Sequence, residues 1–282
     1  MEQNVQNAGN QSVDLLLLQK EVETLKSAMQ GERTPWYRNI STVLSVIAML
    51  FSFGTTFVSY KRTESQDIQN ARVELRGLLQ RLSALPRENI EMTRKYENTD
   101  PSVVASIGSF INQENTLLAR QASEIAHKLP PQYVSATEYY AIGVALQNAY
   151  DVIGAKELFT TAIDVSTNLN DRVGALRSRA NLLFITGQPD AGRVDYQRAL
   201  NVFSDFSNAS YNEYTKKSTH IWTELAWAYS EASIGSRDAA FQHVQNAEHH
   251  LSGLPDGPGV QQLKNQISQA KNILLNVNGQ QR

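Results

Sequence analysis

IWTELAWAYSEASIGSRDAAFQHVQNAEHHL, residues 221–251, holds two helical stripes on either side of a short break at Gly235. Trp222, Leu225, Ala226 and Tyr229 recur at spacings of three and four, and Ala240, Val244 and Ala247 follow with small residues on one face. The same arrangement stands twice upstream. Tyr139, Ile142, Gly143 and Leu146 precede Ala155, Phe159 and Ala162; Leu176, Ala180 and Leu183 precede a turn at Gly187, then Gly192, Tyr196 and Ala199. Small residues on both helices of a pair allow close antiparallel packing, and the second helix's large side chain fills the remaining gap.

This pattern resembles the tetratricopeptide repeat, W-x2-L-G-x2-Y followed by A-x3-F-x2-A, over residues 136–251; W-x2-L-A-x2-Y at Trp222–Tyr229 is its most specific fragment. Tyr139 stands where the family has Trp, Thr167 where Pro is common, and the repeats are spaced 37 and 46 residues apart instead of 34. Extra residues around 207–218 predict longer helices or a loop between the second and third pairs. Val260, Leu263, Ile267, Ala270 and Leu274 predict a one-faced capping helix after the Asp256-Gly257-Pro258-Gly259 turn.

The resemblance implies a concave groove lined by the first helix of each pair. Its contact positions fall on Tyr140, Val144, Gln147 and Asn148, then Arg177, Asn181 and Phe184, then His220, Thr223, Trp227 and Glu231. Amides can bond a peptide backbone while rings grip its side chains. The family's clamp for a free C-terminal carboxylate is not expected, because Tyr140, Val144, Ser178, His220 and Glu224 occupy its positions.

Upstream, residues 39–60 carry no charge. At about 1.5 Å per residue they cover the ~30 Å hydrocarbon thickness of a bilayer. Ile40, Leu44, Ile47, Phe51, Phe57 and Val58 are among ten large apolar residues that favour insertion by roughly 3–6 kcal/mol before the Ser and Thr residues subtract from it. Trp36, Tyr37 and Tyr60 sit at interfacial positions, and Arg38, Lys61 and Arg62 close the run with charge. A single-pass membrane helix is expected, its short tail inside and its large domain outside. The flanking basic residues, Lys20, Lys26, Arg33 and Arg38 against Lys61, Arg62, Arg72 and Arg76, leave the orientation balanced.

Two heptad stripes flank this run: Leu15, Leu18, Val22, Leu25 and Met29 before it, and Ile68, Ala71, Leu75, Leu78, Leu82 and Leu85 after it, the second stopped by Pro86. Each fits either a parallel homo-oligomer or packing on its own chain. Asp100 and Pro101 cap a helix that runs to Pro130.

The expected fold is therefore all-α: a tail with a short coiled coil (1–34), a membrane helix (35–60), a juxtamembrane coiled-coil helix (61–86), leading helices (87–135), three repeats (136–251) and a capping helix with a tail (252–282). With 26 Lys and Arg against 28 Asp and Glu, the chain has no field for nucleic acid, and without cysteine it has no thiolate or sulfur-ligated metal chemistry. The histidines show no metal-ligand spacing and no phosphate-binding or nucleophile motif occurs, so neither cofactor nor metal is expected. A hydrolytic role would have only Glu231 and His220 to use. The sequence reads as a membrane-anchored scaffold that binds a protein or peptide and self-associates. The alternative is a membrane-bound sensor of a small peptide or metabolite that signals through the coiled coil.

Overall fold

The computed structural model describes residues 19–27, 40–96, 100–206 and 209–276, without the side chains of 40–43, 54–62 and 276. The chain divides into two compact units, one up to Asp67 and the other from Ile68. Among the described residues the structure is all helical, with no strand.

Residues 19–27 are helical, with Val22 exposed and Leu25 half-buried; Leu15, Leu18 and Met29 of the first heptad stripe lie outside the described residues, as do Trp36 and Tyr37. Helix α1 (Ile40–Lys95) follows. Of the apolar run, side chains are described for 44–53, where Leu44, Ile47, Leu50, Phe51 and Phe53 are all exposed; those of Ile40, Phe57 and Val58 are not described. Among the described residues no helix is long and apolar enough to cross a membrane.

Pro86 does not stop α1, contrary to expectation; the helix continues to Lys95. A proline inside a helix removes one backbone hydrogen bond and crowds the preceding turn, at about 3 kcal/mol. Contacts on both sides offset that cost. Leu82 and Leu85 are buried just before it, and Arg81 pairs across the proline with Glu88 and, at 2.6 Å, with Glu114 of the next helix. The second heptad stripe is also spent within the chain. Leu75, Leu82 and Leu85 share a core with Ala119, Ala122 and Ala126, while Ile68, Ala71 and Leu78 pack against it.

Helix α2 (Pro101–Lys128) begins as expected, the Asp100 carboxylate accepting from the Ser102 N–H. Six helices then form three consecutive pairs: α3 (Ala136–Asn148) with α4 (Val152–Val165), α5 (Leu169–Ile185) with α6 (Pro189–Leu200), and α7 (Glu213–Ser233) with α8 (Arg237–Leu251). First helices touch first helices, α3 against α5 and α5 against α7, and each second helix packs on the first helix of the next pair.

The turns show why the pairs are alike. Each spans three residues, and the middle one is left-handed: Tyr150 (φ 60°), Gly187 (φ 74°) and Gly235 (φ 81°). In each, the residue after it donates its N–H five residues back: Asp151 to Leu146 at 2.9 Å, Gln188 to Leu183 at 2.8 Å and Ser236 to Glu231 at 2.9 Å. This closure satisfies carbonyls that a helix end leaves bare.

Between the second and third pairs a 3-10 turn (Val202–Ser204) follows α6, and the extra residues from Glu213 onward lengthen α7. Val202 is buried with Leu169 and Val173, covered by Phe203, Phe206 and Tyr211. The last helix, α9 (Pro258–Asn276), buries all five expected residues, Val260, Leu263, Ile267, Ala270 and Leu274. Four of them join the α7–α8 core; burying such side chains is worth ~1.5–3 kcal/mol for each large one.

Candidate functional site

The three turns define a register. Counting back from the left-handed residues, Thr137, Gly174 and Trp222 are equivalent, as are Tyr140, Arg177 and Leu225; Val144, Asn181 and Tyr229; and Asn148, Ile185 and Ser233. These rows share one face of α3, α5 and α7, since positions three, four and seven apart stack along a helix. In the same register the small residues match: Gly143, Ala180 and Ala228 on the first helices, and Ala155, Gly192 and Ala240 on the second. Each of these six is buried.

The third pair thus stands two residues away from the alignment that W-x2-L-A-x2-Y suggests. Ala228, not Ala226, is the fully buried small residue, while Trp222 and Tyr229 are 37% and 38% exposed. The four α7 positions expected in the groove accordingly point elsewhere. Thr223 and Glu231 are buried at 0% and 1% exposure. The His220 ring meets the Leu200 carbonyl at 3.0 Å and lies against Phe203 and His250. Trp227 stacks on His243 at 4.0 Å and on Tyr196 at 5.5 Å, its indole N–H donating to Glu231 at 3.0 Å. Shifting each expected position by two gives Trp222, Leu225, Tyr229 and Ser233, of which Leu225 is buried in the α7–α8 core.

The earlier pairs fare better. Tyr140, Val144 and Gln147 are half-buried and Asn148 is exposed. Arg177 and Asn181 are half-buried, whereas Phe184 is buried beneath Gly192 and cannot reach a partner. Several of these side chains also tie one first helix to the next. Gln147 donates to Asn181 at 3.4 Å, Asn181 to Ser230 at 3.3 Å, and Ser178 to the Tyr140 hydroxyl at 3.4 Å. Ile185, 62% exposed, was absent from the expected set, as were Trp222 and Tyr229.

Behind this face lies a buried polar lock. Arg193 of α6 grips Glu231 with two bonds of 2.8 Å. Burial alone would raise the Glu231 carboxyl, but bonds from Arg193 and Trp227 outweigh it and hold the group below the usual range. Glu224, also buried, meets His243 at 2.6 Å. The Tyr196 hydroxyl bonds Ser230 at 2.8 Å, and burial pushes it up to about 12. Arg179 makes a bidentate pair with Asp195 at 2.7 Å.

Arg177 differs. Its Nε and Nη2 donate to Thr223 Oγ at 2.9 and 2.7 Å, and Nη2 also to the Thr219 carbonyl at 2.6 Å. Among the described residues no carboxylate pairs with it, and burial lowers its guanidinium to about 10.

Among the described residues no group of three His, Asp or Glu could hold a metal ion. Among the described residues this face carries the rings of Tyr140, Trp222 and Tyr229, the amides of Asn181 and Asn148 and the Arg177 guanidinium. A separate depression of about 640 Å³ runs along α2 past Gly108, Asn112 and Arg120. Comparison with known proteins gives no matching family model, no similar curated protein and no matching solved structure.

Proposed function

We propose that this chain is a membrane-anchored, tetratricopeptide-like scaffold whose three first helices form a groove for a protein or peptide partner. One observation carries the reading: the turn-defined rows leave Trp222, Tyr229 and Ile185 exposed on the same face as Tyr140 and Val144. Beneath them, side-chain amides and hydroxyls link helix to helix. Large rings at the surface of a rigid framework suit a partner's anchoring side chains. The uncharged run of residues 39–60, with Leu44, Ile47, Leu50, Phe51 and Phe53 exposed on α1, supports the anchor; in this reading the large domain lies outside. Copies held in one membrane would reinforce one another's binding by effective concentration. Self-association rests on the first heptad stripe, since the second is buried in its own chain.

The test solubilises full-length protein from membranes already washed with alkaline carbonate. The protein stays with the membranes through the wash and co-purifies a partner, which Trp222→Ala/Tyr229→Ala loses and Ile153→Ala, on the second helix, keeps. Release by carbonate contradicts the anchor; a partner kept by the double variant contradicts the groove.

A further inference from the structure

The arginines between helices follow one rule with one departure. Arg72 pairs with Glu138, Arg172 with Asp205, Arg179 with Asp195 and Arg193 with Glu231. Arg177, half-buried like them, hydrogen-bonds only threonine hydroxyl and carbonyl oxygens among the described residues. A guanidinium stays charged at neutral pH, and a desolvated charge without a counter-ion is costly.

Its Nη1 donors face the surface. Nη1 makes no hydrogen bond to a described residue, yet among the described residues no buried side-chain nitrogen or oxygen lacks a partner, so Nη1 reaches solvent. Arg177 belongs to the row of Tyr140 and Leu225. One turn earlier Gly174 leaves a notch: a Cβ there would meet nothing nearer than the Tyr140 ring at 3.8 Å. Trp222, equivalent to Gly174 in the turn register, stands exposed on α7.

We propose that Arg177 anchors an extended peptide by taking a carboxylate in the notch over Gly174, with apolar neighbours of that carboxylate against Tyr140 and Trp222. The inference rests on the groove reading and adds the ligand's chemistry to it. With Nε and Nη2 already held by Thr223 and Thr219, Nη1 offers one charge-assisted hydrogen bond, which a single carboxylate oxygen accepts.

The probes are three fluorescein-labelled peptides titrated against full-length protein in detergent micelles: Ala-Phe-Glu-Phe-Ala amide, the same peptide with Gln for Glu, and the Gln peptide with a free C-terminal carboxylate. The Glu amide binds about tenfold or more tightly than the Gln amide, the size of one charge-assisted hydrogen bond. Arg177→Gln closes that gap and melts no lower than the parent protein, because it removes an unpaired buried charge. Recovery of binding by the free-terminus Gln peptide supports the carboxylate site and shifts its source to a chain end; no recovery assigns it to a side chain. Equal binding of the two amides, binding of none, or a gap that survives Arg177→Gln overturns the inference. The groove reading falls separately, when Trp222→Ala/Tyr229→Ala retains the co-purified partner.

Discussion

Gly143 and Phe159 are placed so that a Cβ on the glycine would lie 2.7 Å from the phenylalanine ring. The ring itself is fully buried. Gly192 stands in the same relation to Phe184, at 2.5 Å, but faces the Ala180 carbonyl oxygen as well, at 2.9 Å.

These two glycines respond differently to alanine. In a helix interior the change gains about 1 kcal/mol of propensity, while overpacking costs ~1–3 kcal/mol. At Gly143 only a ring has to move, so Gly143→Ala is mildly destabilising. At Gly192 the obstacle includes backbone, and Gly192→Ala costs about 2 kcal/mol more. Urea titration of both variants checks the order; equal midpoints would contradict the packing account.

Tyr150 occupies the left-handed position that glycine fills in the other two turns, and its side chain is 90% exposed. A left-handed conformation costs a residue with a Cβ roughly 1 kcal/mol. Tyr150→Gly therefore raises the melting temperature slightly, offset in part by a freer unfolded chain. Gly187→Ala and Gly235→Ala lower it by a comparable amount.

Trp222 and Trp227 have opposite fates. Trp227→Ala removes a ring stacked on His243 and Tyr196 and leaves Glu231 short of a donor; a loss of ~3–5 kcal/mol follows. Trp222→Ala and Tyr229→Ala stay within about 1 kcal/mol of the parent, as surface changes do. The reverse order would restore the alignment first suggested by the sequence.

Acid weakens the contact of α7 with α8. The His220 and His250 rings lie 4.8 Å apart, and burial holds both below the ordinary value of 6.5. A histidine depressed in the folded state binds its proton more readily unfolded, so stability is full above pH ~6.5 and falls as pH drops toward the folded values. Melting curves between pH 7.5 and about 5 show this fall, and His250→Gln flattens it; a pH-independent midpoint contradicts it.

Much of this was legible in sequence because side-chain size and spacing report burial directly. The α9 stripe, the Asp100 cap and the small residues of the first two pairs stand where the sequence places them. The third register was not, because a Trp-Leu-Ala-Tyr run at the right spacing outweighed a subtler signal. Gly143 to Ala155 and Ala180 to Gly192 are twelve residues apart, and only Ala228 lies twelve before Ala240. Pro86 misled for another reason: local propensity cannot anticipate that Leu82, Leu85 and Arg81 hold the helix together across it. Nor does spacing reveal that Arg177 meets no carboxylate among the described residues.

The groove itself is tested most directly by a photoreactive amino acid placed at Tyr229 in the full-length protein, crosslinked in intact membranes and compared with the same probe at Ile153 on the second helix. Adducts to a partner from Tyr229, with none from Ile153, are the predicted result. Adducts from Ile153 alone, or from neither position, would contradict a partner-binding face on the first helices.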